Sequence, residues 1–295
     1  MVDEKTLAGW TGPSSDTEQD KQDRTERMVR EAVRDHAAFG QCTLRVYTKG
    51  SYPNNTNVRT DSDVDVAVQF TECFYWGEHT QGAHPPSSSY QGMWTPSKLR
   101  AELVLALKAK FPGQVDDSGS TAIRVHSSSA RVDADVVPAF DYRYYFSASS
   151  YREGSKTFKK ASGSLVNYPD QHLKNGRAKN RRTNNDYKKI VRIFKRIENA
   201  MVEANYHRAV PSYFVECLVY NCPDSVLNRT TSTEAVKGVI VHIWNELQGD
   251  VEPQEGSERW LEVNECKYLF AAAQKWTRAD GRDFAKAAWN YLGYG

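Results

Sequence analysis

KGSYPNNTNVRTDSDVDVAVQF, residues 49–70, is the stretch on which the fold turns. It joins a Gly-Ser pair, a run of asparagines and aspartates that alternate with valines. Residues i and i+2 of a strand share a face, so Val64, Val66 and Val68 form one apolar side of a strand from Asp63 to Phe70. Asp63 and Asp65 share the other side, their Cα atoms about 6–7 Å apart at a rise of ~3.3 Å per residue. Carboxylates that close repel unless a cation stands between them. Hard oxygen donors at that spacing suit Mg2+ or Mn2+. A solvated edge strand would carry the same pair with no metal at all. The preceding Gly50-Ser51 tips the balance, because glycine at a strand-to-turn junction lets a phosphate approach the backbone and a serine hydroxyl can hydrogen-bond it.

A second carboxylate strand follows in RVDADVVPAF, with Asp133 and Asp135 again at i, i+2. A third carboxylate from such a neighbour completes a two-metal site. There one ion activates an attacking hydroxyl and the other steadies the leaving pyrophosphate.

The rest of the chain bounds the possibilities. Its 295 residues, 39% hydrophobic and 26% charged, suffice for a sizeable core and fit a soluble globular protein. The apolar runs fall far short of the ~20 residues that span a bilayer, and the N-terminal residues carry no apolar signal segment. The five cysteines, Cys42, Cys73, Cys217, Cys222 and Cys266, are scattered, odd in number and free of CxxC pairs. They read as reduced, partly buried thiols in a cytoplasmic protein rather than a zinc site. A net charge of +2 is silent on partners, but ten Lys or Arg between Lys174 and Arg196 face the single acid Asp186. That cluster reads as a polyanion site or a solvated helix face.

Periodicity predicts a helix over 16–39 capped by Ser15 or Thr17, a strand over 42–47, a long loop over 71–95 and a helix opened by Pro96. Strands are predicted over 121–125 and 131–137, then helices over 185–205, from Pro211 to Cys222, over 233–248 and over 258–292. The chain is therefore α+β in its first half and helical in its second, divided into residues 1–165 and 166–295.

The Gly50-Ser51 and Asp63-Val64-Asp65-Val66 spacing resembles the signature of DNA-polymerase-β-type nucleotidyltransferases. Asp61-Ser62-Asp63 departs from it at the polar position 62, which makes Asp61 a loop residue. DVVPAF is similar to the third-carboxylate strand of oligoadenylate synthases, which selects Asp135 over Asp133. GSYPNNTNVRTDSDVDV, VDADVVPAF, VNYPDQHLKNGRAKN and YKKIVRIFKRI with PSYFVECLVYN together resemble the cyclic GMP–AMP synthase/DncV-like enzymes (CD-NTases) of bacterial anti-phage systems, nearest to their clade E.

The resemblance implies a bilobed protein, with a mixed-sheet nucleotidyltransferase core, a C-terminal helical lobe and a nucleotide cleft between them. It implies Asp63, Asp65 and Asp135 as catalytic ligands of Mg2+ or Mn2+. It further implies Gly50, Ser51, Lys195 and Ser212 at the triphosphate and Asn167 at the base, an amide being able to donate and accept. NTP substrates (ATP, GTP, UTP or CTP) would be joined into a cyclic di- or trinucleotide read by an effector protein. No nucleic acid or membrane partner is expected. Read from the residues alone, Arg192 is a snorkelling surface cation, and His172 and Asn175-Gly176 are turn chemistry. The competing readings are a linear-oligonucleotide or other-acceptor nucleotidyltransferase and, from another class, a nucleic-acid-binding module built on the basic helix.

Overall fold

The computed structural model describes residues 2–58, 63–85 and 90–295. In chain order the elements are α1 (Glu4–Gly9), α2 (Asp16–Asp35), β1 (Leu44–Lys49), α3 (Ser51–Asn54), β2 (Val64–Glu78), α4 (Pro96–Lys110), β3 (Val115–Asp116) and β4 (Ile123–Val125). They continue as β5 (Ala134–Ser147), β6 (Ser150–Phe158), β7 (Ser164–Asn167), α5 (Pro169–Arg182), α6 (Asp186–Glu203), α7 (Ser212–Tyr220), α8 (Asp224–Leu227), α9 (Ser232–Glu246) and α10 (Arg278–Tyr291). Two compact units form, one from Ser15–Pro53 and Ser62–Pro169, the other from Met1–Ser14, Asn54–Asp61 and Asp170–Gly295. The division is thus not linear at residue 165, since the N-terminal segment and part of the asparagine run pack with the helices.

The first unit is built on a mixed sheet ordered β1-β2-β5-β4-β3. β2 and β5 run parallel, and β1 and β4 flank them antiparallel. Beyond the three residues of β4, the same edge of β5 is taken over by β6, which pairs with β7. The valine alternation is realised: Val64, Val66 and Val68 are fully buried, joined by Ala134, Val136 and Phe140 of β5. Val29 and Val33 of α2 and Leu99, Leu103 and Leu107 of α4 cover that side. Each such fully buried side chain contributes about 1.5–3 kcal/mol. The covering helices begin where capping residues permit. The Ser15 Oγ accepts the Glu18 N–H, and the Thr95 Oγ1 accepts the Lys98 N–H ahead of Pro96 in the first turn.

The expected loop over 71–95 is wrong in its first part, because β2 continues to Glu78. A register shift between Phe70 and Phe74 breaks the alternation that periodicity relies on. β5 likewise runs on to Ser147, well beyond the strand expected over 131–137, and is followed by β6 and β7.

The second unit is helical around Ile190, Ile193, Phe194, Ile197 and Met201 of α6 and Phe214, Leu218 and Val219 of α7. Val236, Val239 and Ile243 of α9 and Phe284 and Ala288 of α10 close the core. The helix expected over 258–292 is confined to Arg278–Tyr291, capped by a Thr277–Asp280 capping box. Among the described residues, no helix is long and apolar enough to cross a membrane, and the five cysteines are free thiols.

Candidate active site

On the side of the sheet opposite the valines, one row crosses four strands. Lys49 pairs with Asp65, Asp65 with Asp135, and Asp135 with Arg124. Directly paired residues project to the same face and neighbouring strands lie ~4.8 Å apart. The row is therefore cation, carboxylate, carboxylate, cation. Lys49 Nζ lies 3.3 Å from Asp65 Oδ1. Burial, and then the Asp65 charge beside it, raise the Asp135 carboxyl above its ordinary range.

β1 leaves the row at Lys49 and turns through Gly50, which has φ +76°. A Cβ there would also lie 2.8 Å from Asp65 Oδ2, so conformation and space both require glycine. Ser51 follows as the first residue of α3 and is half-buried.

Asp63 stands just ahead of β2. Its Oδ2 accepts a hydrogen bond from Arg124 Nη2 at 3.1 Å, and the same nitrogen donates to Asp133 Oδ2 at 2.8 Å. Asp133 also accepts the Ser127 N–H. Burial by itself would lift Asp133, but Arg124 and the Ser127 N–H reverse this and hold its carboxyl below the usual range. The structure thus brings Gly50, Asp65 and Asp135 together and turns Asp63 toward Arg124. Among the described residues, no three acidic, His or Cys side chains converge on one point. Asp61 lies outside the described residues.

Asn167 ends β7 and is exposed. It pairs with Ser155, which pairs with Asp141, so it shares the face of Asp135. Between them, Tyr47 donates to Gln69 Oε1 and Gln69 Nε2 to Asp141 Oδ1, both at 2.5 Å. This chain fixes that face. The donor set at its near end fits a divalent cation: two hard carboxylates, in register and mutually repelling, are relieved by a positive charge between them.

The helical unit holds a separate polar cluster. The Glu216 carboxylate, on α7 and 1% exposed, accepts from Asn54 Nδ2 at 2.7 Å, Thr56 Oγ1 at 2.7 Å and His172 Nε2 at 2.9 Å. Lys195 Nζ is 3.4 Å away. The asparagine run of the opening stretch is thereby explained as an anchor. Several expectations change here. Lys195, assigned to the triphosphate by resemblance, is a buried ion-pair partner with 3% side-chain exposure. Arg192 is no surface cation; it is buried and donates to the Thr11 and Asn55 carbonyls at 2.6 and 2.5 Å. Burial, and then Arg196, lower it to about 10.

His172 and Asn175-Gly176 lie inside α5 rather than in a turn. Gly176 is glycine because a Cβ would come within 2.8 Å of the Asn54 amide atoms. Much of the basic cluster is spent on structure, with Lys179 on the Cys222 carbonyl and Asp224, Arg182 on Asp224 and Arg196 on the Trp10 carbonyl. Ser212 opens the nine-residue α7 and is half-buried.

Arg124 and Glu216 escaped the sequence reading. Arg124 has no local signature, because its partners are across strands. Glu216 left one: it is the sole acid in SYFVECLVY, an otherwise apolar helix, and an acid so placed needs partners.

Residues 174–293 match the family of cGAS/DncV-like nucleotidyltransferase C-terminal helical domains. The whole chain is 35% identical to the cyclic dipyrimidine nucleotide synthase CdnE of Legionella pneumophila, over 98% of this chain and 97% of that protein. Two solved structures are similar throughout. The Elizabethkingia meningoseptica CdnE cyclic dinucleotide synthase with GTP and Apcpp has a TM-score of 0.83 at 30% identity, covering 100% of both chains. The Rhodothermus marinus CdnE c-UMP-AMP synthase with Apcpp and Upnpp has a TM-score of 0.84 at 28% identity, covering 100% of this chain and 98% of that one.

Proposed function

The chain belongs to the cGAS/DncV-like nucleotidyltransferases, and from that premise we propose that it condenses two nucleoside triphosphates into a cyclic dinucleotide signal. The observation that carries this reading is the Lys49–Asp65–Asp135–Arg124 row beside Gly50. Asp63, Asp65 and Asp135 are assigned to hold a divalent cation, Mg2+ in the first instance. Bound there, such an ion supplies Lewis acidity at the transferring phosphoryl group and lowers the pKa of an attacking ribose hydroxyl.

The protein's own groups do the rest. Gly50 leaves the backbone open where a side chain would collide, and the Ser51 hydroxyl is assigned to donate to a phosphate oxygen. On the helical unit Ser212 is assigned a phosphate contact, favoured by the partial positive charge at the N-terminal end of α7. Lys195 is assigned to the triphosphate tail, a contact for which its ion pair with Glu216 would have to open. Asp135 is assigned the acceptor side, where its carboxylate receives the hydroxyl proton. Asn167 is assigned the base contact, and a pyrimidine in the product is supported by the dipyrimidine synthase at 35% identity. We place the product in anti-phage signalling in the cytoplasm, read by an effector protein with a pocket for a cyclic nucleotide.

The test is release of pyrophosphate from NTP mixtures with Mg2+. Release by the wild-type protein and none by Asp65→Asn or Asp135→Asn supports the assignment. Turnover retained in both variants overturns it.

A further inference from the structure

We propose that Arg124 is a positioning residue for nucleotidyl transfer, its guanidinium anchored by Asp133 so that it holds the carboxylate of Asp63 in one orientation for the metal assigned to Asp63, Asp65 and Asp135. Three observations carry this. The β4–β5 register places Arg124 directly opposite Asp135 and on the same face. One nitrogen, Nη2, reaches both Asp133 Oδ2 at 2.8 Å and Asp63 Oδ2 at 3.1 Å. Asp133 is itself tied to the Ser127 N–H, so the anchor is fixed by backbone. Asp63 precedes the first residue of β2, and the ladder to β5 begins at the Val64 N–H, which donates to the Asp133 carbonyl. The β2 ladder therefore does not orient the Asp63 side chain, whereas Arg124, on β4 two strands away, bonds it directly. The arrangement also gives the first aspartate of VDAD a purpose distinct from that of Asp135. Asp133 holds the arginine that holds the ligand, as outer-shell partners of metal-binding carboxylates do.

The inference rests on Asp63, Asp65 and Asp135 being metal ligands, and its test separates the two claims through opposite signs. A cation acting only as charge repels a metal ion, so its removal tightens binding. A cation that orients a ligand does the reverse. The experiment titrates the purified full-length protein with Mn2+ alone, following free Mn2+ by electron paramagnetic resonance. Wild type is compared with Arg124→Ala, Arg124→Lys, Asp133→Asn and Asp65→Asn, each checked for folding by thermal melt. Steady-state kcat and KM follow on the same samples.

Arg124→Ala and Asp133→Asn are expected to weaken Mn2+ binding roughly tenfold, within the range of about 10–100-fold for lost outer-shell partners. They should lower kcat while leaving KM for NTP near wild type, and Arg124→Lys should restore most of both. Mn2+ binding by Arg124→Ala as tight as wild type, or tighter, overturns the proposal while leaving the metal site intact. Should Arg124→Ala not fold, Asp133→Asn decides by the same criterion. Mn2+ binding unchanged in Asp65→Asn overturns the metal site itself, and this proposal with it.

Discussion

Glu216→Ala is expected to destabilise the helical unit by about 3–5 kcal/mol, the usual cost of breaking a buried ion pair from one side. The figure follows from what the substitution strands. The carboxylate is fully enclosed and serves Asn54, Thr56 and His172 at 2.7–2.9 Å, with Lys195 at 3.4 Å. Without it, an ammonium with 3% side-chain exposure loses its counter-charge. Three buried donors also lose their acceptor, each worth about 1–3 kcal/mol when unsatisfied. At 2–4 °C per kcal/mol for a unit of this size, the melting midpoint should fall by about 6–20 °C. The assay is urea and thermal unfolding of wild type, Glu216→Ala, Glu216→Gln and the double variant Glu216→Gln with Lys195→Met. The glutamine, still an acceptor, should cost less than alanine. The double variant should recover stability relative to Glu216→Ala, because replacing a buried pair entirely is far cheaper than breaking it.

Acid provides a second axis. Burial would raise the Glu216 carboxyl, but Lys195 and then His172 drive it far below its ordinary value. A depressed folded pKa gives stability present above the unfolded value of about 4.3 and lost as pH falls below it. Wild type should therefore lose stability on acidification more steeply than Glu216→Gln. A Glu216→Ala protein within about 1 kcal/mol of wild type, a small effect on this scale, would refute the reasoning.

Three further substitutions probe the sheet. Gly50→Ala forces a left-handed backbone on alanine, costing about 1–2 kcal/mol, and drives a Cβ to 2.8 Å from Asp65 Oδ2; kcat should fall at least about tenfold, as a misplaced group near the chemistry does, and unaltered turnover would refute the clash. Asp135→Asn removes a carboxylate whose raised pKa, from burial and from Asp65, marks it as a cost when ionised. Its melting midpoint in EDTA should exceed wild type at pH 7 and match it below about pH 4, near the unfolded Asp value, while turnover is lost. Asn167→Ser should change the proportions of bases in the product measured by mass spectrometry; an unchanged spectrum would remove Asn167 from the base contact.

The sheet is legible where physics is local. Val64, Val66 and Val68 declare a strand by their period alone, and that same period sets Asp65 on the opposite face. Ser15, Thr95 and Pro96 mark helix starts by the hydrogen bonds they can make or forgo. The reading stopped where placement depends on partners remote in sequence. β2 beyond Phe70 was missed because the register shift resets its alternation. α5 was misread because Asn175-Gly176 has turn chemistry, whereas Gly176 is there to admit Asn54 against the helix. Arg192 looks like a surface cation on a basic helix; its burial depends on the carbonyls of Thr11 and Asn55, and that of Lys195 on Glu216. β4 is too short to show any pattern, so Arg124 emerges only through the β4–β5 register.

Incubation with mixed NTPs and Mg2+, followed by phosphatase treatment and mass spectrometry of the products, tests the central claim most directly. The expected result is a phosphatase-resistant dinucleotide with the mass of a ring, containing a pyrimidine and absent with Asp65→Asn. A linear product that keeps a terminal phosphate, or no dinucleotide from any NTP mixture, would contradict it.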